Sequence, residues 1–123
     1  MPLNEKQPLG KEGELAARNL LMSLGFSIQE VNWRFRRFEI DIIAINKEWI
    51  VFAEVKSRSV KNVLAPEFTV SMGQQRRIIA AAHHYLVENN IQLEARFDII
   101  SILEDTNGLT VKHLPGAFRP LAR

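Results

Sequence analysis

Two acidic residues and a lysine are placed where they could act on a phosphodiester bond. Glu54, Val55 and Lys56 follow an apolar segment, and Asp41 lies within another apolar segment just upstream. Carboxylate oxygens are preferred ligands of Mg²⁺ and Mn²⁺, and such an ion activates water and neutralises phosphate charge. Lys56 would point to the same face as Glu54, because strand side chains alternate. It could orient the attacking water or stabilise the charge that develops on the phosphate.

The segments around these residues predict a β-hairpin that carries the acids. Residues 38–45 and 49–56 are apolar on both faces apart from the acids and the lysine, as in central strands. Residues 46–48 lie between them and predict a tight connection, although the Asn-Gly signal of the commonest hairpin turns is absent.

The register of this hairpin decides which side chains meet. With Lys47 and Glu48 as a two-residue loop, Asp41 faces Glu54 and Glu39 faces Lys56, so all four side chains share one face. Opposed carboxylates repel each other, and a bound cation would remove that cost. The alternative is a polar patch at the end of the strands, held by ion pairs of Glu39 with Lys56 and of Glu54 with Arg58.

A helix over residues 12–24 is predicted to carry a further acid. Gly25 ends the helix, and the apolar positions are Ala17, Leu20, Leu21 and Leu24. Glu14 shares the helical spacing of this stripe and so points along the buried face. Either its carboxylate joins the metal site, or it is a first-turn glutamate favoured by the helix dipole.

The remaining segments complete a mixed α/β domain. Strands are predicted over residues 26–33, 96–103 and 109–113, with a basic turn over 34–37 and a polar loop over 57–66. A second helix begins at a capping box of Ser71 and Gln74 and ends at Asn89. The predicted order is α-β-β-β-α-β-β, in one domain over residues 10–123 that follows a flexible arm over residues 1–9; the tail is expected to pack through Phe118.

Composition limits the function classes. The chain is 46% hydrophobic and 24% charged, which suits one globular domain. It has no cysteine, which excludes disulfides and thiolate metal sites. No apolar run approaches the roughly 20 residues of a membrane span, and the first residues lack the apolar core of a signal peptide. We therefore expect a cytoplasmic protein without membrane contact.

The net charge of +2 is too small to indicate a nucleic-acid partner by itself. The distribution of basic residues is more informative, because arginines flank the acidic group on both sides. Attraction of phosphate explains this clustering better than an ordinary solvated surface does. The candidate phosphate contacts are Arg34, Arg36, Arg37, Arg58, Arg76 and Arg77.

Other polar residues are predicted to be structural. His83 and His84 are adjacent and lack the helical spacing of a zinc pair. His113 is isolated in the sequence. Asp98 is either an acid that supports the metal ligands from behind or an arginine partner, and the structural role is favoured. No phosphate-binding glycine loop and no serine nucleophile motif occurs.

Several short motifs together resemble a known family. They are Gly13-Glu14-x-x-Ala17, Asn32-x-Arg34, Glu39-Ile40-Asp41-Ile42-Ile43-Ala44, Phe52-Ala53-Glu54-Val55-Lys56-Ser57-Arg58 and Arg96-Phe97-Asp98. In this order they resemble the uncharacterised YraN-like family of predicted bacterial nucleases. That family is similar to archaeal Holliday-junction resolvases and belongs to the restriction-endonuclease-like, PD-(D/E)xK, superfamily. The similarity runs from about Gly10 to Phe118.

The resemblance implies a central mixed sheet flanked by helices and a Mg²⁺- or Mn²⁺-dependent endonuclease that acts on DNA, including branched DNA. It implies that Asp41, Glu54, the Val55 carbonyl and Glu14 hold the metal and that Lys56 orients the attacking water. It implies that Glu39 does not bind the metal itself but supports the metal ligands from behind, paired with Lys56.

The sequence departs from the family pattern at two positions. Phe38 stands where a glycine is usual, and Gln74, also a candidate substrate contact, stands where a lysine is usual. These departures support a second hypothesis, a nucleic-acid-binding module without catalysis, and a third is an adaptor for a protein partner. Symmetric cutting of a junction would require two sites and hence a homodimer.

Overall fold

The fold has seven elements in the predicted order. The computed structural model describes residues 10–59 and 68–120. The elements are α1 (Lys11–Ser23), β1 (Ser27–Phe35), β2 (Phe38–Ile45), β3 (Trp49–Ser59), α2 (Met72–Glu88), β4 (Glu94–Asp105) and β5 (Gly108–Phe118). The order α-β-β-β-α-β-β and the mixed α/β class are confirmed. Neither described helix has the length and apolarity that crossing a bilayer requires.

The five strands form one mixed sheet in the order β1-β2-β3-β4-β5. Strands β3 and β4 are parallel, and every other neighbouring pair is antiparallel. A parallel pair needs a long crossover, and α2 lies in the connection between β3 and β4. The predicted register of the β2–β3 hairpin is confirmed at its turn end, where Ile45 pairs with Ile50 and Ile42 with Ala53.

Each face of the sheet is covered by one helix. On one face, α2 packs Ile78, Ala82 and Tyr85 against Phe52 and Phe97. On the other face, α1 packs a smaller cluster through its two fully buried apolar residues. That cluster consists of Ala17 and Leu21 with Phe26, Ile42, Ala44, Val51, Ala53, Val55, Ile100 and Ile102. The alternating side chains of β3 therefore supply both cores, as a central strand must.

The helix and strand ends differ from the predictions in a few places. Gly25 has a left-handed φ of 93° after α1, as predicted for its role. Leu24, however, is 51% exposed and is not part of the core stripe. Strand β3 continues through Ser57 and Arg58, so those residues do not belong to a loop. The rest of that predicted loop up to residue 66 and the predicted arm over residues 1–9 lie outside the described residues.

Strand β5 is longer than predicted because it continues through a bulge to Phe118. Phe118 stacks on Phe97 with ring centroids 5.3 Å apart, which confirms its packing role. The bulge lies between Phe97 and Ile99 of β4, where the register with β5 shifts. Gly116 at this bulge has a φ of 60°, a conformation that glycine adopts without strain.

A buried carboxylate organises this bulge. Asp98 is fully buried, and its two oxygens each accept a 2.9 Å hydrogen bond from the guanidinium of Arg96. It also accepts bonds from His113 Nε2 at 2.7 Å and from the Gly116 N–H at 3.0 Å. The prediction that Asp98 is an arginine partner is confirmed. The prediction that His113 is structural is also confirmed, because the β4–β5 register brings it to Asp98 although it is isolated in the sequence.

Candidate active site

The regular alternation of side chains is broken locally in β1 and β2, next to Asp41. In β2, Ile40 packs on the α2 side whereas Ile42 packs on the α1 side, although residues two apart normally share a face. In β1, Val31 lines a pocket with α1 residues whereas Trp33 packs on the α2 side. Asn32 lies between them and has a φ of 52°. Asparagine tolerates this left-handed conformation better than most residues do. Asn32 therefore marks the break in the sheet.

The break turns Asp41 away from the face that the sequence predicts. Asp41 lies between Ile40 and Ile42, opposite Asn32, and it lines the pocket on the α1 side. Glu54 and Lys56 instead share the face of Phe52, which packs against α2. The predicted single row of Glu39, Asp41, Glu54 and Lys56 on one face is therefore not formed.

Asp41 nevertheless joins the two strands at this end. The β2–β3 Cα pairing stops at Ile42 and Ala53, so Asp41 and Glu54 are not register partners. Where the pairing stops, Asp41 Oδ2 accepts a 2.7 Å hydrogen bond from the Val55 N–H. The carboxylate thus spans the opening between the strands, which we call the strand gap. It lies next to the backbone of the residue between Glu54 and Lys56.

Glu54 is held by the beginning of α2. It is only 4% exposed, and its Oε2 accepts a 2.9 Å hydrogen bond from the Gln74 side-chain amide. Ser71 caps the helix, as predicted, by accepting a bond from the Gln74 N–H at 3.1 Å. The reciprocal half of the predicted capping box is replaced, because the Gln74 side chain turns to Glu54 instead of back to Ser71.

Lys56 and Glu39 lie on either side of this pair. The half-buried Lys56 donates from Nζ to the Thr69 carbonyl, just before α2 begins. An ammonium has three donors, so this bond leaves donors for a phosphate or a water. Glu39 is half-buried, and its Cα partner is Arg34 of β1. The predicted opposition of Glu39 and Lys56 does not occur in the described β2–β3 register.

Glu14 approaches Asp41 through a small pocket between α1 and the sheet. Glu14 is half-buried and lines this pocket together with Asp41. The structure therefore brings the α1 acid to the strand gap, although it does not show a direct contact of the two carboxylates. The lining residues are Glu14, Ala17, Arg18, Val31, Asn32, Asp41, Ile42 and Val55.

Two polar residues of this pocket were not among the predicted site residues. Arg18 follows Glu14 by one helical turn, and that spacing alone could have indicated it. Asn32 lies in a strand, where asparagine is uncommon, and this unusual position could have indicated it from the sequence. Both residues line the same pocket as Asp41, and Arg18 Nε donates a 3.4 Å hydrogen bond to the Glu14 carbonyl.

The donor set suits a hard divalent cation that keeps part of its water shell. Among the described residues, no three histidine, aspartate or glutamate side chains converge as a ready-made metal cluster. Asp41 and Glu54 are 6% and 4% exposed and lie on either side of Val55 at the strand gap. Mg²⁺ commonly binds through one or two carboxylates with waters and substrate phosphates. Carboxylates that border the gap from its two sides, with the Val55 carbonyl beside them, could serve that mode of binding.

The predicted basic residues divide into two groups. Arg34, Arg36, Arg37, Arg76 and Arg77 are exposed, whereas Arg58 is half-buried near the end of β3. Arg36 and Arg37 form the turn between β1 and β2, and Arg76 and Arg77 lie in the first turns of α2. Both locations are at the end of the sheet that carries the strand gap. The structure therefore gathers most of the predicted arginines around the acids.

Comparison with known families identifies the chain. A model of the uncharacterised protein family UPF0102 matches residues 13–102. The chain belongs to the UPF0102 family. A UPF0102 protein of Parabacteroides distasonis is 38% identical over 110 residues, which cover 89% of this chain and 91% of that relative. One from Desulforapulum autotrophicum is 38% identical over 117 residues, covering 94% and 97%, respectively. One from Flavobacterium psychrophilum is 36% identical over 114 residues, covering 93% and 96%.

The UPF0102 match contains the whole candidate site. It begins at Gly13, next to Glu14, and includes Asp41, Glu54 and Gln74. It ends within β4, so His113 and the Asp98-linked bulge of β5 lie partly beyond it. The acids, the lysine and the beginning of α2 therefore all lie in the segment that defines the family.

Proposed function

We propose that this protein is a Mg²⁺- or Mn²⁺-dependent endonuclease that hydrolyses phosphodiester bonds in DNA. The observation that carries the proposal is the strand gap. Asp41 borders the gap from the α1 side and Glu54 lies with Lys56 on the α2 side. Each carboxylate is less than a tenth exposed, at the end of the sheet that also carries the exposed arginines. Both carboxylates accept hydrogen bonds, as buried acids must, and the restriction-endonuclease-like sites that the sequence resembles use such acids as metal ligands.

The proposed roles follow from the contacts. Asp41, Glu54 and the Val55 carbonyl would hold the cation, and Glu14 would act from the pocket side through a water. A divalent cation in this position would activate water and neutralise charge on the phosphate. Gln74 orients the Glu54 carboxylate, and Lys56 is held beside α2 with donors left for the attacking water or the phosphate. Cutting a four-way junction symmetrically would require two copies of this site.

The test is cleavage of labelled junction, duplex and single-stranded DNA in Mg²⁺ or Mn²⁺. Glu54→Gln and Lys56→Met keep the approximate side-chain volume and should reduce the cleavage rate at least 100-fold. Glu48→Gln removes an exposed acid at the opposite end of β3's hairpin and serves as the matched control. Cleavage by Glu54→Gln at the control rate would overturn the proposal.

A second candidate function is a nucleic-acid-binding module without catalysis. The observation that favours it is the hydrogen bond from the Gln74 side-chain amide to the Glu54 carboxylate, which already engages one oxygen of that acid. This function predicts salt-dependent DNA binding without cuts in either metal. A protein adaptor would show neither cleavage nor DNA binding in the same assay.

A further inference from the structure

Two of the exposed arginines differ from the others in how they are held. The Arg36 guanidinium carbon lies 5.1 Å from the centroid of the Phe35 ring. The Arg77 guanidinium carbon lies 5.9 Å from the centroid of the Phe38 ring. Both distances are in the range of cation–π contacts. No such ring contact is found for Arg34, Arg37 or Arg76 among the described residues.

The two aromatic rings are themselves a pair. Phe35 and Phe38 are Cα partners that flank the Arg36-Arg37 turn. Phe35 also stacks with His84 of α2, with ring centroids 4.1 Å apart. The rings therefore join the β1–β2 turn to α2. They hold the two guanidinium groups at a common edge of the molecule.

This edge adjoins the strand gap. Phe38 precedes Asp41 by three residues, which is about 10 Å along a strand. Arg77 lies one helical turn after Gln74, whose amide binds Glu54. Arg77 Nη1 also lies close to Gly73, where an added Cβ would come within 3.4 Å of it. The Arg77 guanidinium is thus directed back toward the first turn of α2.

The chemistry of the two arginines favours phosphate. A guanidinium that lies against a ring keeps its edge N–H donors available, and these match phosphate oxygens in a bidentate manner. Neither arginine forms a salt bridge with a carboxylate among the residues that the structure describes. Because the rings restrict both side chains before binding, less conformational entropy is lost when a phosphate binds.

We propose that Arg36 and Arg77 form a two-point clamp for the phosphodiester backbone of DNA on the α2 side of the strand gap. The inference rests on the proposed function, since it places the strand that enters the candidate active site. Of the six arginines that are candidate phosphate contacts, the proposal assigns only these two to positioning the substrate. Arg37 and Arg76 contribute general positive charge only.

The test compares neighbouring arginines that carry the same charge. Binding of a fluorescently labelled duplex and of its single strand is measured by anisotropy in EDTA, so that no cleavage is needed. Arg36→Ala and Arg77→Ala should each weaken binding about tenfold and reduce the salt slope by about one. Arg37→Ala and Arg76→Ala should weaken it by less than about threefold. Lys47→Ala, at the other end of β2, controls for net charge.

The rings provide a second test that keeps both arginines. Phe35→Leu and Phe38→Leu remove the surfaces that hold the guanidinium groups and should weaken binding about two- to fivefold. Thermal unfolding of each variant serves as the control that it remains folded under the assay conditions. Leucine variants that bind as the wild type does would overturn pre-orientation by the rings.

Failure of the clamp and failure of nuclease activity are distinguishable. Equal weakening in all four arginine variants, unchanged binding in Arg36→Ala and Arg77→Ala, or no DNA binding by the wild type would each overturn the clamp. Metal-dependent cleavage with an unchanged KM in those two variants would also overturn it. Selective loss of binding in Arg36→Ala and Arg77→Ala supports the clamp, even where the wild type makes no cuts.

Discussion

At the residue scale, the side-chain amide of Gln74 orients the carboxylate of Glu54, a ligand of the proposed cation. A lysine, which the resembled family usually carries at this position, would bring a positive charge next to the carboxylate. The Gln74 amide instead donates to one oxygen of Glu54 at 2.9 Å and leaves the carboxylate charge in place. Neighbours that orient a ligand in this way commonly change metal affinity 10- to 100-fold when they are removed.

Gln74→Leu should therefore raise the Mn²⁺ concentration needed for half-maximal cleavage about tenfold. Gln75 is the matched control, because its amide donates to the Val70 carbonyl rather than to an acid. Gln75→Leu should leave the Mn²⁺ dependence unchanged. The readout is the cleavage rate across a Mn²⁺ titration. An equal shift in both variants would show that Gln74 acts through the stability of α2 alone.

The residue types of the site were predictable from the sequence, but the directions of their side chains were not. Asp41, Glu54 and Lys56 were indicated by acids and a lysine within apolar strands. Strict alternation then predicted one common face for them. The left-handed φ of Asn32 opposite Asp41 changes that direction, and no local rule of strand periodicity includes such a break.

At the element scale, the paired break in β1 and β2 positions Asp41 beside α1. Asparagine adopts a left-handed φ more readily than β-branched residues do. Asn32→Val should therefore destabilise the protein by about 2 kcal/mol and lower cleavage, because Asp41 would lose its position. Asn32→Gly keeps the backbone freedom and should retain stability to within about 1 kcal/mol.

Urea unfolding and the cleavage rate of the two Asn32 variants check this prediction. Full stability in Asn32→Val would show that the break is not maintained by Asn32. Loss of cleavage in a stable Asn32→Gly variant would assign a direct role to the Asn32 side chain in the pocket.

The bulge between β4 and β5 depends on the ionised form of Asp98. Burial by itself raises the pKa of Asp98, but the hydrogen bonds from His113, Arg96 and the Gly116 N–H, with the charge of Arg96, outweigh burial and lower that pKa below 3.8. A carboxyl with a lowered folded-state pKa contributes stability above its unfolded pKa. That stability is lost as the pH falls through the folded value.

The free energy of unfolding should therefore decrease below about pH 4, the unfolded value for aspartate. Asp98→Asn should cost about 3 kcal/mol at pH 7, because it leaves the half-buried Arg96 guanidinium without its buried counter-charge. The same variant should show a weaker dependence of stability on acid pH. Urea unfolding at pH 7 and pH 3 measures both effects. Parallel pH profiles for the variant and the wild type would contradict this account of the bulge.

At the scale of the whole molecule, one sheet separates two helices that both reach the strand gap. The half-buried Glu14 of α1 approaches from one face, and Gln74 of α2 from the other. The element order and the turn end of the β2–β3 register follow from hydrophobic periodicity and turn signals. The β4–β5 bulge and the contact of His113 with Asp98 do not, because they depend on pairing between distant parts of the chain.

The most direct test of the proposed function is the Mn²⁺ dependence of DNA cleavage in the wild type, Asp41→Asn and Glu48→Gln. We predict a saturable dependence for the wild type and the Glu48→Gln control, with no cuts in EDTA. Asp41→Asn should require at least about tenfold more Mn²⁺ or not cleave at all. Cleavage by Asp41→Asn with the wild-type Mn²⁺ dependence, or wild-type cleavage in EDTA, would contradict a cation site at the strand gap.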